Sequence, residues 1–463
     1  MTKNNRKIEP SSFRDPNGYV FYKGNDVFRQ VNYSYKNNFD YLYKSGLYKA
    51  LVQKHYLIPH SRVYQDRSSH NKSYVILKTK KIPFISYPYE WTFDQLKDAA
   101  LLTLEIQEVA LQYGMSLKDA TSYNIQFLNG KPVFIDILSF EIYKKDKPWI
   151  AYRQFCQHFF GPLLLMSWVD INLNKFLRIY IDGIPLNLVS TMLPKKTYLQ
   201  FSVLTHIHLH ALKQKQLANR QNEYINSSIL SKTALTSIID NLKTAIINLH
   251  HNKNDTEWGD YYTFTNYSNK AFKNKEMIIN KYIEISKPNL VWDIGANSGL
   301  FSRIASQKNI FTVASDIDPI AVERNYTQIK KMNETNILPL VIDLVNPSPA
   351  LGWSNTERRS LIQRGPADLV MALALIHHLS ISNNLPFEKV ADFCQKIGKY
   401  LIIEFIPKND SQVQKLLKTR EDIFDNYSQL NFEKSFSKKF KIITKDSIHG
   451  SSRICYLMKS LKK

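Results

Sequence analysis

Residues 290–306 read LVWDIGANSGLFSRIAS, an apolar strand, a glycine turn and the opening of an amphipathic helix. No other stretch limits the fold as tightly. Asp293, Gly295 and Gly299 stand as D-x-G-x-x-x-G. Glycine at such a turn lets a ligand approach backbone that a Cβ would cover, and it permits the sharp change from strand to helix. A dinucleotide site would use G-x-G-x-x-G to seat a pyrophosphate on the helix N-terminus. Here the third glycine of that pattern is missing and an aspartate precedes the turn, so the expected ligand carries no diphosphate.

After Trp258, short apolar strands alternate with helical segments, which predicts an α/β fold with a parallel, doubly wound sheet. Several of these strands end on reactive or hydrogen-bonding side chains. IFTVASDIDP ends in Asp316, 23 residues after Asp293, where a carboxylate can accept hydrogen bonds from both hydroxyls of a ribose. ILPLVID ends in Asp343, placed to receive an adenine amino group. ADLVMALALIHHL runs into His377 and His378, and KYLIIEFIP carries Glu404 at its end. The series lines up a site along the carboxyl edge of one sheet.

On these motifs, residues 256–463 resemble a class I S-adenosylmethionine-dependent methyltransferase. DIGANSG is similar to the family's first motif, SDIDPIAVERNY to its second, VIDL to its third and DLVMALALIHHL to its fourth. The resemblance implies a Rossmann-like, seven-stranded sheet and S-adenosylmethionine as cofactor. Asp293, Gly295 and Gly299 would surround the methionine part, Asp316 would meet the ribose and Asp343 the adenine, with Asn297, Ile317 and Leu344 in the same cofactor-binding motifs. Asn297 replaces a glycine common in the family and should still leave room. The implied reaction is in-line displacement at a sulfonium methyl, for which the protein aligns the nucleophile and excludes water. No metal signature accompanies these motifs. The family's [DN]PPY sequence, which holds an exocyclic amine, is replaced by ALIHHLSI, pointing away from adenine-N6 or glutamine-amide methylation and toward a hydroxyl or other acceptor. His377 or His378 would act as general base; alternatively, one lines the cofactor pocket and the other satisfies a backbone carbonyl. TEWGDYYTFTNYSNKAF, with Trp258, Tyr261, Tyr262 and Tyr267, would form either a lid or an aromatic packing seam.

The first half carries a different constellation. Asp119 is followed five positions later by Asn124 and 17 positions later by Asp136, and IQFLNGKPVFID between them reads as a hairpin turning at Asn129-Gly130. A second hairpin is expected across Gly24-Asn25-Asp26. This order resembles a protein-kinase-like α+β fold over about residues 15–210, in which those three side chains would handle a hydroxyl, a metal ion and a phosphate. The departures are substantial: PNGYVFYKG has only isolated glycines, Arg29 in VFRQV is the nearest basic residue to a strand lysine, and Asp136 is followed by ILSF. Asp119, Asn124 and Asp136 are therefore expected either to hold the acceptor or a nucleotide on a retained scaffold, or simply to cap turns. With SYPYEW, LKDATSYNIQF, PVFIDILSFE and YRQFCQHF, nearly the whole chain resembles a bacterial family of class I methyltransferases, some called nodulation proteins.

Length and charge set the remaining bounds. At 463 residues the chain predicts two domains, here 1–212 and 256–463, with a linker and connecting helix over 213–255. The apolar spacing over 229–250 predicts a helix packed on the second domain. Of the net charge of +22, +14 falls in residues 1–250, so a nucleic acid or an anionic glycan is a conceivable partner beside a small-molecule or macromolecular methyl acceptor. Three cysteines far apart, Cys156, Cys394 and Cys455, suit a reducing compartment, and the polar start of the chain suits a cytoplasmic protein. The apolar run FFGPLLLMSWV is about half of what a membrane span needs and reads as a buried helix. In THIHLHAL only His206 and His210 would share a helical face, and a surface or interdomain helix is expected there. Three functions remain open: a methyltransferase whose N-terminal domain selects the acceptor, a bifunctional protein that also transfers phosphate, and a non-catalytic binder.

Overall fold

The computed structural model describes residues 6–63, 72–218, 230–251, 269–418 and 421–462. The chain divides into two compact units, residues 1–252 with 351–358, and residues 253–350 with 359–463.

The N-terminal unit opens with five antiparallel strands in the order β1-β2-β3-β5-β4: Lys7–Ile8, Gly18–Lys23, Asp26–Asn32, Ser73–Thr79 and His60–Val63. The expected first hairpin is present, with Lys23 opposite Asp26 and Gly24 at φ +60° in its turn. The helix Phe93–Gln112 starts at a reciprocal cap. Thr92 Oγ1 accepts from the Gln95 N–H at 3.3 Å, and Gln95 Oε1 accepts from the Thr92 N–H at 3.0 Å. It then buries Leu96, Ala100, Leu104 and Ile106. Two short antiparallel pairs follow: β6 (Met115–Leu117) with β9 (Phe140–Ile142), and β7 (Ile125–Leu128) with β8 (Lys131–Phe134). The second pair turns at Asn129 and Gly130, both at positive φ (54° and 74°), the backbone a two-residue hairpin demands.

FFGPLLLMSWV does form a buried helix, Gly161–Trp168, and no helix among the described residues is long and apolar enough to cross a membrane. Two expectations are corrected. The helix Lys232–Ile247 does not leave for the second domain: its buried face, Leu235, Ile239, Leu242 and Ile246, packs on Phe93–Gln112. Lys243 pairs with Glu108 at 2.9 Å and Lys97 Nζ donates to the Ile247 and Leu249 carbonyls, contacts that lie within the N-terminal unit. His206 and His208 of THIHLHAL are likewise packed inward. His206 lies between Tyr152 Oη (2.6 Å) and Asn241 Oδ1 (2.9 Å), and His208 between Ser190 Oγ (2.8 Å) and Thr197 Oγ1 (2.9 Å). Buried hydroxyl and amide partners satisfy these rings, which a helical-face argument from sequence does not anticipate.

The C-terminal unit is built on a seven-stranded sheet in the order β12-β11-β10-β13-β14-β16-β15. Its strands are β10 (Leu290–Ile294), β11 (Phe311–Asp316), β12 (Ile337–Val341), β13 (Ala367–Ala372), β14 (Gly398–Phe405), β15 (Phe440–Ser447) and β16 (Ile454–Ser460). The first five are mutually parallel, and β16 inserts antiparallel between β14 and β15. The helix Asn269–Ser286 packs Ala271, Ile279, Tyr282 and Ile283 against residues of the sheet, among them Val291, Met371 and Ile402. Chain order reverses beside β10, with β11 on one side and β13 on the other. Diverging connections there open a crevice at the carboxyl ends of the strands, which is where ligands settle in open α/β sheets.

Candidate functional site

The glycine turn is pinned from the neighbouring strand. Past Ile294 the Gly295 and Ala296 N–H groups donate to the Ser315 carbonyl at 2.8 and 2.9 Å, and the Asn297 N–H donates to Asp316 Oδ2 at 2.7 Å. Gly295 (φ +78°) and Gly299 (φ +76°) occupy the left-handed region that glycine adopts without cost, and Asn297 (φ 51°) is a residue type that tolerates it. The two glycines differ in what a Cβ would meet. At Gly295 it would come to 3.1 Å of the Leu375 side chain, whereas at Gly299 it would stand 2.4 Å from Asn325 Nδ2. A Cβ would thus crowd Leu375 at Gly295 and collide with Asn325 at Gly299, where close packing behind the turn leaves no room.

A cavity of about 350 Å³ lies along this edge, lined by the expected Asp293, Gly295, Asn297, Asp316, Ile317, Asp343, Leu344 and His378. Asp293 is buried and accepts from Ser302 Oγ at 2.6 Å; burial pushes its carboxyl up to about 7. Asp316 is also raised by burial, although the Asp318 and Asn297 N–H groups bonded to its carboxylate oppose the shift. Asp343 fixes its own turn by accepting from the Val345 N–H at 2.9 Å.

Two expected residues lie outside the lining. Gly299 is one, for the packing reason just given. The other is His377, which is 2% exposed, does not reach the cavity and has no hydrogen-bond partner at Nδ1 among the described residues. His378 takes the next position around the turn and faces the cavity, its ring 4.0 Å from that of His377. Burial drives both imidazoles down, His378 to about 4, so both are neutral at pH 7. The segment with Trp258, Tyr261, Tyr262 and Tyr267 lies outside the described residues.

Sequence reasoning missed Lys275, Phe272, Phe301 and Leu416 on the cavity wall. Lys275 carried a legible signal. In NKAFKNKEMIINKYIEIS it interrupts the apolar stripe Ala271, Ile278, Ile279 and Tyr282, so a lysine stands where helical periodicity puts the core. Its ammonium pairs with Glu404 Oε2 at 2.7 Å, both side chains being essentially inaccessible.

In the N-terminal unit the fold does bring Asp119, Asn124 and Asp136 together. Asn124 Nδ2 donates to Ser139 Oγ at 3.1 Å, Ser139 Oγ donates to Asp136 Oδ2 at 2.5 Å, and Asn124 also hydrogen-bonds Asp119. Arg29 reaches across from β3 to Asp136 at 2.6 Å. Asp119 is pushed up by burial and, after that, by the charge of Asp136. Each aspartate also caps a turn: Asp119 accepts from the Thr121 N–H at 3.1 Å and Asp136 from the Leu138 N–H at 3.2 Å. Among the described residues no group of three or more His, Cys, Asp or Glu side chains is arranged to hold a metal ion.

No protein-family model matches the chain. A relative does: nodulation protein NoeA of Rhizobium meliloti (strain 1021) is 31% identical over 452 residues, which cover 96% of this chain and 94% of that protein. The chain belongs to the NoeA nodulation-protein family. Solved structures similar to this NoeA-family chain include the N-methyltransferase NodS of Bradyrhizobium japonicum WM9 in complex with S-adenosylhomocysteine (11% identity, 42% of this chain, 90% of that one, TM-score 0.31). Another is the magnesium protoporphyrin IX methyltransferase ChlM of Synechocystis PCC 6803 with the same compound bound (17% identity, 44% and 92%, TM-score 0.32). The bifunctional kinase-methyltransferase WbdD is a third (15% identity, 41% and 39%, TM-score 0.29).

Proposed function

We propose that this NoeA-family chain is an S-adenosylmethionine-dependent methyltransferase whose C-terminal unit holds the methyl donor. One observation carries the reading: Asp293, Asp316 and Asp343, at the ends of three adjacent strands, line a single cavity together with Gly295 of the glycine turn. The donor set fits such a molecule. Asp316 and Asp343 present carboxylate oxygens for ribose hydroxyls and an adenine amine, Ile317 and Leu344 provide apolar walls, and Asp293 supplies a negative charge for an amino group. The volume falls within the ~300–1,000 Å³ usual for small-molecule sites.

S-adenosylmethionine would be held by Asp293, Asp316, Ile317, Asp343 and Leu344 and would supply a methyl group on a sulfonium sulfur for a nucleophilic oxygen or nitrogen of the acceptor. The chain's own residues orient and shield. Phe272, Phe301 and Leu373 keep water from the wall around Asp293. His378 faces the cavity as a neutral imidazole; with its basicity lowered by burial it acts as a hydrogen-bonding guide for the acceptor rather than a strong base. Loss of S-adenosylhomocysteine binding in Asp316→Ala, measured by isothermal titration, tests the donor site.

The N-terminal unit is proposed to select the acceptor. The gathering of Asp119, Asn124, Asp136 and Arg29 favours it as the place where acceptor or nucleotide is held. Titration of the full chain with magnesium-ATP separates these uses, since nucleotide binding lost in Asp136→Ala would favour the kinase-like alternative.

A further inference from the structure

We propose that the turn Lys195–Leu199 and the residues around it form a docking site for an anionic lipid bilayer. Leu199 and Phe201 enter the membrane, and Lys195 and Lys196 meet its headgroups. The site is independent of the methyl-donor reading, since every residue in it belongs to the N-terminal unit.

Exposure leads to it. Leu199 is 90% exposed and Phe201 70%, and Tyr198 beside them is also open to solvent. A Leu or Phe left in water forfeits the stabilisation that burial gives, and three such side chains within four residues make a patch, not scatter. The patch continues onto the end of the helix Gly161–Trp168. Trp168 and Phe201 line one cavity of about 580 Å³, and Val169, next to Trp168, is exposed.

The turn is anchored in this outward pose. Thr197 is buried; its hydroxyl donates to the Pro194 carbonyl at 2.7 Å and lies 2.9 Å from His208 Nε2. The Tyr198 ring stacks on the same histidine, with centroids 3.7 Å apart and planes 8° from parallel. With residues 197 and 198 both fixed on His208, Leu199 is held outward.

Charge names the partner. No Asp or Glu occurs in the sequence between Asp182 and Glu223, whereas Lys195, Lys196 and Lys213 do. Lys195 and Lys196 are exposed, and among the described residues neither pairs with a carboxylate. Lys196 places its ammonium 4.8 Å from the centre of the Trp168 ring, the pose of a lysine whose stem lies along apolar surface while its charge stays in water. An anionic bilayer accepts this whole set at once: aliphatic and aromatic side chains below the headgroups, amphipathic rings at their level and lysines against their charge. A nucleic acid would use the lysines and leave Leu199 in water. A protein partner would bury a broad, level face, whereas Leu199 stands clear of its neighbours.

The test is co-sedimentation of the full chain with vesicles of phosphatidylcholine alone and of phosphatidylcholine with about 30% phosphatidylglycerol, which gives a negative surface. The wild-type chain should bind the anionic vesicles about tenfold or more tightly than the neutral ones. Leu199→Ser with Phe201→Ser should lose about tenfold on the anionic vesicles. Lys195→Gln with Lys196→Gln should lose about as much. All four side chains are exposed, so these variants leave the core untouched. Insertion is read directly on Leu199→Cys carrying a nitrobenzoxadiazole label, which attaches selectively because the three native cysteines are buried. Its emission should rise and move to the blue on anionic vesicles. Binding that survives the Leu199 and Phe201 replacements, or a label whose emission does not change, overturns the proposal in favour of general attraction by the chain's positive charge. A chain that binds neither vesicle overturns it as well. So does a dimer in analytical ultracentrifugation that the same double replacement dissolves, which would make this face a contact between two copies.

Discussion

The Asn297 backbone N–H donates to Asp316 Oδ2 at 2.7 Å, so the glycine turn after β10 and the end of β11 form one rigid corner. One oxygen of Asp316 is committed to the corner and the other accepts from the Asp318 N–H at 3.0 Å, which aims the carboxylate at the cavity. Asp316→Asn keeps the size and removes the charge, but its single amide oxygen can accept from only one of the Asn297 and Asp318 N–H groups. It should weaken S-adenosylhomocysteine by about 10- to 100-fold, while thermal unfolding moves by only a few degrees. An unchanged dissociation constant would remove Asp316 from the site.

Gly299 and Gly24 make a paired test of packing against backbone strain. Both have positive φ, but a Cβ at Gly299 would collide with Asn325 whereas at Gly24 nothing among the described residues lies within 4 Å. Gly24→Ala should cost about 1–2 kcal/mol, the left-handed penalty alone. Gly299→Ala should cost about 2–4 kcal/mol, since overpacking is added. Urea denaturation reads both, and equal costs would contradict the structure.

Asp293 gives the chain a pH signature. Its carboxyl titrates near 7 when folded, against 3.8 ordinarily, because burial disfavours its charge. With the folded value raised, the native state holds the proton more tightly than the unfolded chain. The stability this contributes is complete below about pH 4 and is lost as pH climbs through about 7. Asp293→Asn should flatten that decline. An α-ammonium bound beside Asp293 favours the carboxylate, so ligand binding below pH 7 should release a proton, seen as a binding enthalpy that changes with the buffer's ionisation enthalpy. A buffer-independent enthalpy would place the ammonium elsewhere.

Glu404→Ala should be among the more damaging substitutions in the C-terminal unit. It leaves Lys275 buried without its carboxylate partner, and breaking one side of such a pair costs about 3–5 kcal/mol. Chemical denaturation of the full chain measures this; a cost under about 1 kcal/mol would mean that the pair is solvated.

The sequence carried most of the C-terminal site because its residues are adjacent to backbone signals: a glycine turn or a strand end marks Asp293, Gly295, Asp316 and Asp343. The hairpin at Asn129-Gly130 was legible for the same reason, since its positive φ values demand those residue types. Partners across space were not legible. Nothing local says that Lys232–Ile247 packs on Phe93–Gln112, that His206 sits between Tyr152 and Asn241, or that His378 rather than His377 turns into the cavity. Lys275 lies between these cases, visible as an interruption in an apolar stripe but without meaning until Glu404 is placed beside it.

The most direct test of the central claim is calorimetric titration of the full chain with S-adenosylhomocysteine. One ligand should bind per chain with a micromolar or tighter dissociation constant, and Asp316→Ala should abolish the signal without unfolding the protein. A wild-type chain that binds nothing, or an Asp316→Ala variant that binds as tightly as the wild type, would contradict it.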